Sequence, residues 1–128
     1  MDRKTIISPK APRPLGQASH AVEAGELIFL SGQVGLDQTT NKLAPGGPTG
    51  QAAQCMENIK VILASIGLDL LAVVRTTIFL TDLSDFGPVN AVYAGYFPAE
   101  PPACTCLEVR ALPLGASVAV EAVAAKLR

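Results

Sequence analysis

The apolar residues of this chain change their spacing twice, and that change limits the possible folds more than any other feature. From Gln51 onward, Ala52, Met56, Ile59, Leu63 and Ile66 recur at three- and four-residue intervals, with Gln54, Glu57, Asn58 and Lys60 between them. Such spacing puts the apolar side chains on one face of a helix, and Gly67 suits its C-terminal cap. Over residues 73–81 the helical period gives way to a β-branched run, Val-Val-Arg-Thr-Thr-Ile-Phe-Leu-Thr, which predicts a central strand. A second helix is expected beyond it. Val89, Val92, Tyr93, Tyr96 and Phe97 share its face, Asp82 or Ser84 can cap it, and Pro98, Pro101 and Pro102 stop it.

Strands are expected on either side of this middle. Residues 17–22 and 27–30 read as a hairpin joined through Glu23-Ala24-Gly25-Glu26, and residues 37–50 read as a surface loop rich in Gly, Pro, Thr and Asn. Residues 104–112 and 117–125 read as two closing strands across the turn Pro113-Leu114-Gly115-Ala116. Hairpin, helix, strand, helix, hairpin predicts an α+β fold, a mostly antiparallel sheet with two helices on one face. A length of 128 residues predicts one domain, 1–128.

Composition excludes several functions. Ten Lys and Arg stand against 11 Asp and Glu, for a net charge of −1, with no basic stripe of the kind nucleic acid requires. No run approaches the roughly 18 apolar residues that span a bilayer, and the charged start Met1-Asp2-Arg3-Lys4-Thr5 leads into prolines rather than an apolar signal core. The expected location is cytoplasmic, with no nucleic-acid or membrane partner. Three cysteines, Cys55, Cys104 and Cys106, are an odd number and do not suggest a disulfide framework. The apolar fraction of 49% in so small a chain suggests surface covered by another subunit.

The stretch Pro102-Ala103-Cys104-Thr105-Cys106-Leu107-Glu108-Val109 resembles the signature strand of the reactive-intermediate deaminases, the Rid or YjgF-like family. Further markers are Leu30-Ser31-Gly32-Gln33, Glu57-Asn58-Ile59, residues 75–83, Asp85-Phe86 with Val89-Asn90 and Tyr93, and the 118–124 strand. The resemblance spans nearly the whole chain. It implies a chorismate-mutase-like fold in a trimeric, barrel-like assembly, strands inside and helices outside. It also implies three small-molecule clefts, each shared by two subunits, and no cofactor.

In the deaminase branch the cleft hydrolyses short-lived imines and enamines such as 2-iminopropionate and 2-aminoacrylate. An arginine clamps the carboxylate in a bidentate pair, a tyrosine orients the substrate, and a glutamate positions the attacking water. Carried over one by one, the tyrosine position falls on Ala18, the arginine on Cys104 and the glutamate on Ala119. Ser31, Asn90 and Cys106 match the family. Glu121 lies two residues beyond the lost glutamate, either near the cleft or as an ion-pair partner between subunits. Asn90 more readily ties subunits together than performs chemistry, and Gly32 beside Ser31 lets backbone approach a ligand.

Two readings of the substituted cleft remain open. Alternation places Cys104, Cys106 and Glu108 on one strand face, and Ala18 and His20 on another. A thiol in place of the arginine, with the chain's single histidine in reach, is then a candidate nucleophile and base. Alternatively the cysteines and His20 are simply packed. Cys104, Cys106 and His20 supply at most three ligands at no zinc spacing, so no metal site is expected. The function expected is that of a divergent Rid-family enzyme acting on an imine, enamine or conjugated carbonyl. A silent ligand- or protein-binding trimer and an ordinary 2-iminopropionate deaminase are the alternatives.

Overall fold

The computed structural model describes residues 2–126. In chain order they form β1 (Arg3–Ile6), β2 (Ala21–Ala24), β3 (Leu27–Val34), β4 (Leu36–Asp37), β5 (Lys42–Leu43), α1 (Gly47–Ala64), β6 (Val73–Leu80), α2 (Phe86–Tyr96), β7 (Ala103–Glu108) and β8 (Val118–Ala125). One sheet runs β1-β2-β3-β8-β6-β7, and β4 pairs with β5 in a separate ribbon. Only the β6–β7 pairing within that sheet is parallel. This is the expected α+β architecture, with helices on one face of a mostly antiparallel sheet.

The helix period and the strand period meet in the core. Met56, Ile59, Ile62 and Leu63 of α1 pack on Ile28, Ile78, Leu80 and Val118 of the sheet, all buried. Truncating one such side chain to alanine costs about 2–5 kcal/mol. Gly67 closes α1 with a left-handed φ of +76°. The Leu68 N–H then returns to Leu63 O at 2.9 Å, satisfying a carbonyl the helix leaves free.

Four sequence expectations need correction. The closing strands do not pair with each other: β8 lies between β3 and β6, and β7 runs parallel to β6 at the sheet edge. The cause is legible in burial. Val118, Val120, Ala122 and Ala124 are all buried beneath the helices, as suits a central strand, whereas most of β7 is exposed, as suits an edge. The first hairpin strand begins at Ala21 rather than at residue 17; the His20 ring just before it turns to the N-terminal segment, and the Ala18 N–H bonds back to Gly16 O in a turn. The expected loop of residues 37–50 contains the β4–β5 ribbon and the first turn of α1. Asp82 caps a 3-10 turn at Leu83–Asp85, accepting the Ser84 N–H at 2.9 Å, rather than α2 itself. The sequence reading also missed β1, whose charged, short segment has the character of an edge strand.

The face of the sheet away from the helices is largely uncovered, apart from a small buried cluster of Val34, Leu36, Ala116 and Ala119. Leu27, Phe29 and Leu107 are 40%, 46% and 38% exposed there. Thr77, Glu121 and Val123 share that face by register, and Phe29 pairs with Val123. Among the described residues no helix is long and apolar enough to cross a membrane.

Candidate functional site

Strand register divides the candidate residues between two places. Cys104 pairs with Thr76 and Cys106 with Ile78, and both partners are buried under the helices. Cys104, Cys106 and Glu108 therefore lie on the helix side of the sheet, at its β7 edge, sharing one face as alternation predicts. Asn90 is exposed on α2, the helix that also carries Tyr93. Ala119 and Glu121 alternate with the core residues of β8 and so belong to the opposite face. Ala119 is buried against Val34 and Leu36, with Phe79 and Leu112 beside it, while Glu121 is exposed.

Around Cys104 the structure builds a small polar group. The Tyr93 and Thr76 hydroxyls lie 2.6 Å apart, and the exposed Cys104 thiol interacts with the same tyrosine. Burial, partly offset by the Thr76 hydrogen bond and reinforced by Cys104, raises the Tyr93 phenol to about 12. Tyr93 therefore stays protonated and can donate. Burial also pushes the Cys106 thiol up, with Cys104 adding to the effect. That is the opposite of what an activated nucleophile needs.

Ala18, Ser31 and Gly32 gather elsewhere. They line a recess of about 60 Å³ together with Arg13, Val34 and Leu36. The Ser31 hydroxyl donates to Ser19 O at 2.6 Å. Val34 and Leu36 carry this recess through to Ala119, so the tyrosine and glutamate positions of the resembled family share one neighbourhood. β3 lies three strand spacings from β7, about 14 Å at the usual separation. Within one protomer the cysteine group and the Ala18 recess do not meet.

His20 departs most clearly from expectation. It is 1% exposed and is not a strand residue alternating with Ala18. The Ser8 N–H donates to Nδ1 at 2.8 Å, which requires a lone pair there. Nε2 then carries the hydrogen and donates to Pro12 O at 2.6 Å. Both nitrogens are occupied by backbone, which leaves none for a thiol. His20 fastens the segment from Ser8 to Pro12 rather than serving as a base, and the expected Cys–His pairing does not form in the protomer. Among the described residues no group of three or more His, Cys, Asp or Glu side chains that could hold a metal ion comes together.

Sequence reasoning missed Arg13 as a lining residue of the recess, and Thr76 and Tyr93 as companions of Cys104. No local signal in Pro12-Arg13-Pro14 marks the first, because residues 31–36 complete the recess. A larger apolar recess, about 410 Å³, lies between the C-terminal ends of α1 and α2 against Leu68, Leu71, Tyr96 and Phe97. None of the candidate residues lines it, so its size does not make it the site.

Two helices on one face of a six-stranded, mostly antiparallel sheet make the chorismate-mutase-like architecture of the YjgF type. A family model described as endoribonuclease L-PSP matches residues 8–126. The chain belongs to this family, the Rid group of reactive-intermediate deaminases. It is 49% identical over 126 residues to protein DfrA of Myxococcus xanthus, covering 97% of this chain and 96% of that one. It is 44% identical over 122 residues to the 2-iminobutanoate/2-iminopropanoate deaminase of Mus musculus, covering 95% and 90%. The crystal structure of RidA from the Antarctic bacterium Psychrobacter superposes with a TM-score of 0.90 at 40% identity, covering 96% of this chain and 99% of that one.

Proposed function

We propose that this protein hydrolyses small reactive imines or enamines in clefts built from two copies of the chain, with Cys104 facing the substrate. The observation that carries the reading is the exposed Cys104 thiol, held beside the Tyr93 hydroxyl on an edge strand whose family counterpart bears the carboxylate clamp. The separation of Cys104 from the Ala18–Gly32 recess supports a second copy as the source of the other half-site. The bare sheet face with Leu27, Phe29 and Leu107 supports that copy, and its siblings in a homotrimer, as what covers it.

In this reading water adds to the C=N carbon, the nitrogen leaves as ammonia and a carbonyl remains. Cys104 and Tyr93 supply hydrogen-bond donors toward the nitrogen or the incoming oxygen. His20 and Cys106 have no part in the bond-making steps, the first because it is engaged, the second because burial favours its thiol form.

The test follows the loss of imines generated in place from amino acids by an oxidase, with wild type, Cys104→Ser and Cys104→Ala. Turnover by wild type, partly kept by the serine variant and lost by the alanine variant, supports the reading. No turnover with any imine or enamine gives the place to the silent, ligand-binding trimer, a reading favoured by the two methyl side chains at Ala18 and Ala119.

A further inference from the structure

We propose that Arg13 is the residue that binds the substrate's carboxylate, an inference that rests on the reading above.

The first argument is charge. Ala18, Ser31, Gly32, Asn90, Cys104, Cys106 and Ala119 bring no cation to the cleft, and a carboxylate leaving water needs one. The recess beside Ala18 holds one cation, Arg13, and no acidic side chain lines it. Its guanidinium makes no ion pair or hydrogen bond among the described residues, so binding an anion there breaks nothing. The recess volume of about 60 Å³ has room for a carboxylate, since one water needs only about 10–15 Å³ on the same measure. The Ser31 hydroxyl is already given to Ser19 O, and the Gln33 amide is neutral, which leaves Arg13 as the charged donor of the recess.

The second argument is placement. Pro12 and Pro14 flank Arg13, so the backbone φ is fixed on both sides and Arg13 itself is confined to extended conformations. Pro12 O accepts the His20 Nε2–H, and Ala11 is buried in the main core. The base of the side chain is therefore rigid while its head is exposed. His20, unexplained as a base, becomes a positioning residue. Gly32 lines the same recess, and a Cβ built there meets nothing within 4 Å, so the space beside it is open.

Other cations fit less well. Arg75 donates to Thr105 Oγ1 at 3.0 Å and lines a hollow with Glu121 on the bare face. Arg110 lies beyond the end of β7 and lines neither recess that Arg13 borders. Arg13 does border a second recess on the other side of its segment, with Ser8, His20, Gln38 and Asn41, and the experiment must separate the two sides.

The probe is 2-oxobutanoate, a stable carboxylate, titrated into the full-length protein by calorimetry. Expected is binding by wild type and Arg110→Gln, and weakening of about tenfold or more in Arg13→Gln, with part recovered in Arg13→Lys. Gly32→Ala, which narrows the Ala18 side alone, is expected to weaken binding too. Unchanged thermal midpoints would show that the variants fold. The proposal is overturned by a wild type that binds no carboxylate, by Arg13→Gln binding as wild type does, by loss in Arg110→Gln, or by Gly32→Ala binding normally. Imine turnover measured on the same variants separates the two readings. Arg13-dependent binding without any turnover sinks the hydrolase and leaves the carboxylate site standing. Turnover that is indifferent to Arg13 does the reverse.

Discussion

The Tyr93 and Thr76 hydroxyls meet at 2.6 Å with both residues buried, so one hydrogen bond ties α2 to β6 directly beside Cys104. Tyr93→Phe leaves the Thr76 hydroxyl without its partner. The expected loss is about 1–3 kcal/mol of folding free energy, read as a lower urea midpoint with an unchanged slope. A midpoint equal to wild type would mean that another group takes the place of the phenol.

Alkylation should separate the three cysteines in the order Cys104, Cys106, Cys55. Cys104 is exposed, Cys106 is half-buried with its thiol pushed up, and Cys55 is fully buried with its thiol raised to about 12. Peptide mass spectrometry after timed iodoacetamide treatment at neutral pH reads all three at once. Faster reaction at Cys106 than at Cys104 contradicts the assignment of roles made above.

Alkaline stability should carry the signature of Cys55. Its thiol, which donates to Gln33 O at 3.1 Å, goes from 9.0 when unfolded to about 12 in the fold. The folded protein then holds a proton that the unfolded chain has lost. The stability from this group is complete below about pH 9 and is lost as pH rises through about 12, with a slope of up to about 1.4 kcal/mol per pH unit. Urea titrations over that window should show a shallower decline in Cys55→Ala than in wild type. Some decline must remain, because Tyr93 and Tyr96 are also raised to about 12, chiefly by burial.

A charge on the bare sheet face should break the proposed homotrimer without unfolding the protomer. Phe29 is 46% exposed in a single copy, so Phe29→Glu costs little there and much against an apolar partner. Light scattering is expected to show a smaller species than wild type, with the helical circular dichroism kept. Imine turnover should fall with it, since each half-site then lacks the other. An unchanged mass would point to a different contact between copies.

How far the sequence could be read depended on whether a signal was local. The α1 period, the Gly67 cap and the β-branched run of β6 are decided within a few residues of themselves, and each formed where expected. The place of β8 is not local. Its Val-Ala-Val-Glu-Ala-Val pattern announces a strand, but its partners are β3 and β6, which end at Val34 and Leu80, well before it begins at Val118, rather than β7, its neighbour in sequence. His20 misled for a related reason. Its spacing from Ala18 looked like strand alternation, whereas Ser8 and Pro12, remote from that strand in sequence, decide which atoms its ring meets. The substitutions at Ala18, Cys104 and Ala119 were visible at once, and Arg13 was not, because nothing in Pro-Arg-Pro reveals the recess it faces.

The strand order also has a consequence for how the chain is made. A nascent polypeptide that has emerged as far as Leu112 holds β1–β3 and β6–β7 as two ribbons that cannot join, since β8 is the piece that lies between them. Their apolar edges stay open until residues 118–125 leave the ribosome. Pairings of high sequence separation form slowly and expose strands to wrong partners. A stalled or truncated translation product of this protein therefore presents two sticky half-sheets, a natural substrate for chaperones that guard unfinished chains.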